Sequence, residues 1–355
     1  MRKIAIISAY AYIEHHGNYG SLLQYYALQT FLEQQFGCDP YWIRYTLPEE
    51  HSLKYEIKDL IKTLFFSFDR NRKKLLKKQG AFAQQYLKLS KKKYCGFDEI
   101  TNNPPKADLY ITGSDQVWGG CIEANYLRFV EPSKPKMAYA ASFGRSELSK
   151  EQLMKVPDWI REIDYVSLRE KEGVKICEDL DIPAIMVADP TLLIKKEQYP
   201  VIEPKDPPDY FCYFLNKFSL DREVDSLVRN SNAVFCSGVN KNASAYKEYE
   251  KVLSPEEWIG MIKCARFVLT NSFHGMIFSI IFRKPFIVFL QDGKTELQNS
   301  RIYSFLSYID LEDRIYKSPE QLTNFENNEV GWNKAYKKID SLCHISTQFI
   351  QEALY

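Results

Sequence analysis

Short β-branched runs alternate with helical patterns along most of this 355-residue chain, and a chain so patterned has few ways to fold. The first half reads as strands at 3–9, 41–45, 108–112, 137–141, 165–169 and 184–188. Between them lie helical patterns near 20–36, 54–66, 70–88, 149–160 and 170–179. The scheme repeats with strands at 210–215, 233–236, 267–270 and 285–289, and helices near 220–230, 255–264, 274–282 and 299–308. Such alternation predicts parallel sheets covered by helices on both faces. Capping chemistry agrees: in SPEEW, Ser254 stands at an N-cap, Pro255 at the first helical position and Glu257 three residues after the cap.

The length favours two domains. A proline-rich stretch around 190–209 reads as a linker, giving a first domain over 1–195 and a second over 205–355. The expected fold class is therefore α/β, two Rossmann-like domains with parallel sheets facing a central cleft. Ligands of such folds bind beyond the carboxyl ends of the strands. A last helix near 331–353 can pack on either domain, including back on the first.

Net charge is only +1, so no strong overall field draws the chain to nucleic acid. The eight cysteines form no C-x-x-C pair, which argues against a zinc or redox motif and for reduced, mostly buried thiols in a cytoplasmic protein. The N-terminal apolar run is too short for a signal peptide, and no stretch approaches 18 apolar residues. One segment stands apart. Residues 54–93 hold thirteen basic and three acidic residues, a net +10, leaving −9 for the remainder. Within it Ile57, Leu60, Ile61, Leu64, Phe65 and Phe68 recur at helical spacing. The bland reading is a pair of surface helices with solvated lysines. The functional one is peripheral docking on the anionic inner face of a membrane, which retention by anionic vesicles at low salt would reveal.

Candidate chemistry lies at the strand ends. Gly17, Asn18 and Gly20 form a turn opening a helix, where free N–H groups hold an anion or hydroxyls. Thr112-Gly113-Ser114-Asp115 ends a strand, with Trp118 following. Asp115 and Trp118 suit a sugar, a carboxylate for hydroxyls and an indole for a ring face. Arg169 ends the next strand and suits a planar anion, or else pairs with Glu170 or Glu172 on the surface. Asp189, before Pro190, reads as a structural turn residue. In LTNSFHG, Asn271 or Ser272 caps a helix, and His274 stands near its N-terminus, placed for proton exchange.

The segments GNYGSLLQYYALQ, ADLYITGSDQVW, KMAYAASFG, VSLREKEG, VADPTLLI, LTNSFHG and NSRI, in that order, resemble those of polysaccharide pyruvyl transferases. The resemblance implies a GT-B-like fold and transfer of a carboxyethylidene group from phosphoenolpyruvate to two sugar hydroxyls, with no metal or other cofactor. The acceptor would be a sugar of a cell-surface (capsule or exopolysaccharide) precursor, lipid-linked or polymeric. It implies His274 and Asp115 as catalytic residues. Arg169, Arg301, Ser272, Asn271, Asn18, Gly20, Ser114 and Trp118 would hold the substrates, with the donor on the second domain and the acceptor on the first.

Two positions depart from the family pattern. Relatives often carry Asn-x-Gly-Asp where Gly20 is here followed by Ser21, and Arg where Ser272 stands. The missing guanidinium would have to come from Arg301, Arg266 or Lys284. Two rivals follow: a GT-B glycosyltransferase using a nucleotide sugar, and a non-catalytic relative in a capsule-assembly complex.

Overall fold

The strands Leu109–Thr112, Lys136–Ala141, Tyr210–Phe214 and Phe267–Thr270 are buried at every position, as parallel strands between two helical layers must be. A computed structural model describes residues 1–8, 18–48, 68–215, 219–237, 250–291, 299–322 and 330–355. Its strands are β1 (Lys3–Ile7), β2 (Asp39–Thr46), β3 (Leu89–Cys95), β4 (Leu109–Thr112), β5 (Lys136–Ala141), β6 (Tyr165–Leu168), β7 (Ile185–Met186), β8 (Tyr210–Phe214), β9 (Ala233–Ser237), β10 (Phe267–Thr270) and β11 (Phe286–Val288). The helices are α1 (Tyr19–Phe36), α2 (Phe68–Tyr86), α3 (Phe97–Asn102), α4 (Lys150–Arg161), α5 (Lys171–Asp179), α6 (Arg222–Arg229), α7 (Pro255–Cys264), α8 (Phe273–Ile281), α9 (Ser300–Tyr308) and α10 (Trp332–Leu354).

Among the described residues these strands make two sheets, seven strands in the order β3-β2-β1-β4-β5-β6-β7 and four in the order β11-β10-β8-β9. Every pairing is parallel. In the first sheet the chain steps outward from β1 to β3, then resumes at β4 on the other side of β1. The second reverses in the same way between β8 and β10. Each sheet thus has a switch point, where diverging connections open a crevice at the carboxyl ends.

The two halves share a core. Tyr19 of α1 stacks on Trp258 of α7, centroids 5.3 Å apart, and donates its hydroxyl to the Leu253 carbonyl at 2.9 Å. The capping box at the start of α7 forms as its sequence predicts. Helix α10 reaches both halves. Ser346 accepts from the Ala188 N–H at 2.8 Å, Phe349 meets the Tyr165 ring edge-on, and the Tyr336 hydroxyl donates to the Ile280 carbonyl at 2.6 Å.

The sequence reading missed β3 and α3. β3 is the sheet edge, and its lysines Lys91 and Lys92 face solvent. Charges on an edge strand discourage pairing with another chain, which agrees with the bland reading of these two lysines. Gly17, the 54–66 helix and the apolar stripe through Phe65 lie outside the described residues, and Phe68 opens α2. All eight cysteines are free, four of them buried and Cys95 exposed. No helix among the described residues is long and apolar enough to cross a membrane.

Candidate active site

The turn after β4 begins the site. Gly113 has φ 121°, and a Cβ there would lie 2.1 Å from the Tyr139 carbonyl oxygen. Only glycine fits so close a backbone approach. Ser114 is buried, its carbonyl accepting from the Ser8 hydroxyl at 2.7 Å and its N–H donating to Gln24 Oε1 at 3.3 Å. Asp115 follows at φ 81°, a conformation uncommon outside glycine. The turn hands its carboxylate to three partners: the Ser21 hydroxyl, the Gln116 N–H at 2.9 Å and Arg169.

Arg169 leaves the end of β6 with its side chain 1% exposed, so the surface pairing considered above does not occur. Its Nη1 donates to Asp189 at 3.1 Å and its Nη2 to Asp115 at 3.3 Å, while Nε faces Glu170 at 3.6 Å. Three carboxylates surround one guanidinium. Burial alone would raise all three acids. At Asp115 the charges of Arg169 and His274 outweigh it and hold the carboxyl below its ordinary range. At Asp189 the nearby His274, then Arg169 and Thr191, outweigh burial and hold it far below. At Glu170 burial wins over Arg169, and the carboxyl is pushed up.

His274 enters from the second half. Asn271, just past β10, accepts from the Leu215 N–H at 2.6 Å and donates to its carbonyl at 2.8 Å, locking the ends of β8 and β10 together. Ser272 caps α8, accepting from the Gly275 N–H at 3.3 Å. Both side chains are thereby committed to holding His274, the second residue of α8. Its Nε2 is buried without a hydrogen bond and stands 3.6 Å from Asp189 Oδ2. Its other ring nitrogen packs on Gly20, where a Cβ would come within 2.0 Å of Nδ1. Asn18 is occupied as the N-cap of α1, accepting from the N–H groups of Gly20 and Ser21. The site therefore lies where the two switch points meet, with Asp115 beyond β4 and His274 beyond β10.

The model of the polysaccharide pyruvyl transferase family matches residues 18–293. The chain belongs to that family. No curated protein sequence matches it. Among solved structures it is similar to the UDP complex of S. aureus MnaA, at 13% identity and TM-score 0.50 over 96% of this chain and 91% of the other. It is also similar to a putative UDP-N-acetylglucosamine 2-epimerase from Listeria monocytogenes, at 10% identity and TM-score 0.51 over 96% and 90%. At such identities the likeness establishes the shared GT-B-like fold alone.

Of the three cations expected to stand in for an arginine at Ser272, Arg301 lies beside the site. Arg301 of α9 lies with its guanidinium carbon 5.6 Å from the Phe273 ring, and that of Arg169 lies 5.1 Å from the same ring. Its helix start is fixed by a relay: Asn299 exchanges two hydrogen bonds with the Gln291 backbone, and Gln291 donates to the Asn271 carbonyl. Arg266 and Lys284 precede β10 and β11, at the opposite ends of their strands.

Trp118 requires correction. It is 0% exposed, stacked on Tyr126 with centroids 5.4 Å apart, and its indole N–H goes to the Asn125 carbonyl at 3.1 Å. It is core, because the turn that projects Asp115 folds the following residues inward under Phe143. Ser114 likewise presents its backbone to neighbouring segments rather than to the crevice. Asp189 changes in the other direction. It does cap the turn at Thr191, at 3.0 and 2.7 Å, but its second oxygen faces Arg169 and His274. Glu170 and Asp189 carried one usable sequence signal, an acid directly past a strand's carboxyl end.

Proposed function

We propose that this protein transfers a carboxyethylidene group from phosphoenolpyruvate to two hydroxyls of one sugar in a lipid-linked or polymeric polysaccharide precursor, releasing phosphate. A proton adds to the donor's methylene carbon, leaving an oxocarbenium-like centre. One sugar hydroxyl attacks that centre and the second displaces phosphate. The two hydroxyl protons balance the one gained by carbon and the one leaving with phosphate. The observation that carries this reading is the meeting of His274 Nε2, unpaired and buried, with the Asp115–Arg169–Asp189 ion cluster and Arg301.

A double anion such as phosphoenolpyruvate calls for two cationic groups, which Arg169 and Arg301 supply. In this reading His274 delivers the proton or holds the phosphate. Asp115, kept ionised by Arg169 and His274, is suited to accept a proton from an attacking hydroxyl. The test is phosphate release from phosphoenolpyruvate by the purified protein with galactoside, glucoside, mannoside and N-acetylhexosaminide acceptors bearing a lipid-like aglycone. Release that depends on the acceptor supports the transferase. No release, with calorimetry detecting a nucleoside diphosphate but not phosphoenolpyruvate, would establish the glycosyltransferase rival.

The Gly20 contact gives a sharper version of the same test. In Gly20→Ala the new methyl must displace the imidazole or the start of α1, since 2.0 Å is far inside contact distance. A displacement of about 1 Å at a reacting group costs on the order of 10²-fold in turnover. Turnover of Gly20→Ala should fall by about that factor while the melting temperature falls modestly. Unchanged turnover would remove His274 from the chemistry.

A further inference from the structure

Arg169 Nε and both carboxyl oxygens of Glu170 are buried, and none of the three makes a hydrogen bond. They nevertheless face each other at 3.6 Å. Donor and acceptors left unmade side by side call for an explanation in a folded protein, and a bound ligand is one. The remaining edges of the guanidinium are taken by Asp189 and Asp115.

Charge decides which group can move. Asp115, Glu170 and Asp189 already stand around Arg169 and Arg301, so a multiply charged anion joins this set at a cost unless negative charge leaves it. Asp189 is held by Thr191, and Asp115 by Ser21 and Gln116. Glu170 has no such fixed hydrogen bond, only the attraction of Arg169 and the Ser142 hydroxyl nearby. It occupies the N-cap position of α5 without capping it. Burial also pushes its carboxyl up. The groups acting on it are Arg169 past β6, Ser142 past β5, Arg301 from α9 and Glu172 on its own helix.

We propose that Glu170 is the counter-ion that yields to the donor: it takes up one proton from water as the donor binds, and the Arg169 Nε–H passes to a carboxylate or phosphate oxygen of the donor. No covalent bond to carbon or phosphorus changes in this step. The proposal rests on phosphoenolpyruvate being the donor, and makes Glu170 a positioning residue.

Calorimetry of phosphoenolpyruvate binding in two buffers of different ionisation enthalpy counts the protons exchanged. The wild-type protein is expected to take up close to one proton per donor bound. Its Kd should weaken with rising pH, by about tenfold per unit once Glu170 is ionised in the free protein. Glu170→Gln should bind the donor without that uptake and with a Kd independent of pH over the same range. Glu170→Asp keeps a carboxyl and should retain uptake, which separates loss of the proton site from loss of fold. His274→Gln should also retain it. Uptake that survives Glu170→Gln but disappears in His274→Gln moves the proton to the histidine and overturns the proposal, as does wild-type binding without uptake. Failure of the wild-type protein to bind phosphoenolpyruvate at all removes the donor reading, and this proposal with it.

Discussion

His274→Gln is expected to lower acceptor-dependent phosphate release by about 10²–10⁴-fold, the usual contribution of a placed acid or base. Glutamine keeps a polar group of similar reach and removes the exchangeable ring proton. The imidazole is fixed from both sides, by Asp189 at 3.6 Å and by the bare backbone of Gly20. It therefore needs no rearrangement to meet a substrate at the crevice. Donor calorimetry on the same variant divides the two roles open to it. Retained donor binding with lost turnover assigns proton delivery, whereas lost binding assigns the phosphate. Turnover within about threefold of wild type, where proton transfer should contribute far more, would leave His274 a structural residue.

The sheet pattern and the strand-end positions of this site were legible in the sequence, because both follow from local periodicity. His274, Asp115 and Arg169 each end a readable strand, and the topology brings strand ends together. Partners were not legible. The sequence reads Arg169 as ready for a ligand, yet two of its three edges are used by acids 54 residues earlier and 20 later in the chain. Asp189 has the sequence context of an ordinary turn cap and fills that role with one oxygen, so nothing local betrayed the other. Trp118 failed for a related reason. It stands only three positions after Asp115, and which way the chain turns there depends on Gly113 meeting the Tyr139 backbone. The lysines of β3 read two ways in the sequence because an edge strand protected by charge has the composition of a docking surface.

Ser21 makes a contact that the acid expected at its position could not make. Its hydroxyl donates to the Asp115 carboxylate. A second carboxylate at that position would face the first, and like charges so close cannot both stay ionised at ordinary pH. With serine there, Asp115 stays ionised beside Arg169.

Arg169→Met is expected to be the most destabilising single change in this site. It leaves Asp115, Glu170 and Asp189 buried without the cation they share, and breaking a buried ion pair from one side costs about 3–5 kcal/mol. The loss should depend on pH with a definite sign. In the wild-type protein Asp115 and Asp189 are held below their unfolded values, so their contribution is present above about pH 4 and is lost as pH falls through the folded values. Glu170 is raised, so its contribution is present below its unfolded value and is lost as pH rises through the folded one. Without Arg169 all three acids favour the protonated state, and acid relieves the repulsion among them. Melting temperatures of the two proteins should therefore differ most near pH 8 and converge toward pH 5, as the variant gains stability on acidification. Arg169→Lys should fall between them, because one ammonium cannot meet three carboxylates in a plane. A deficit that stays constant from pH 5 to 8 would mean that the guanidinium is held for its packing on Phe273 and not for its charge.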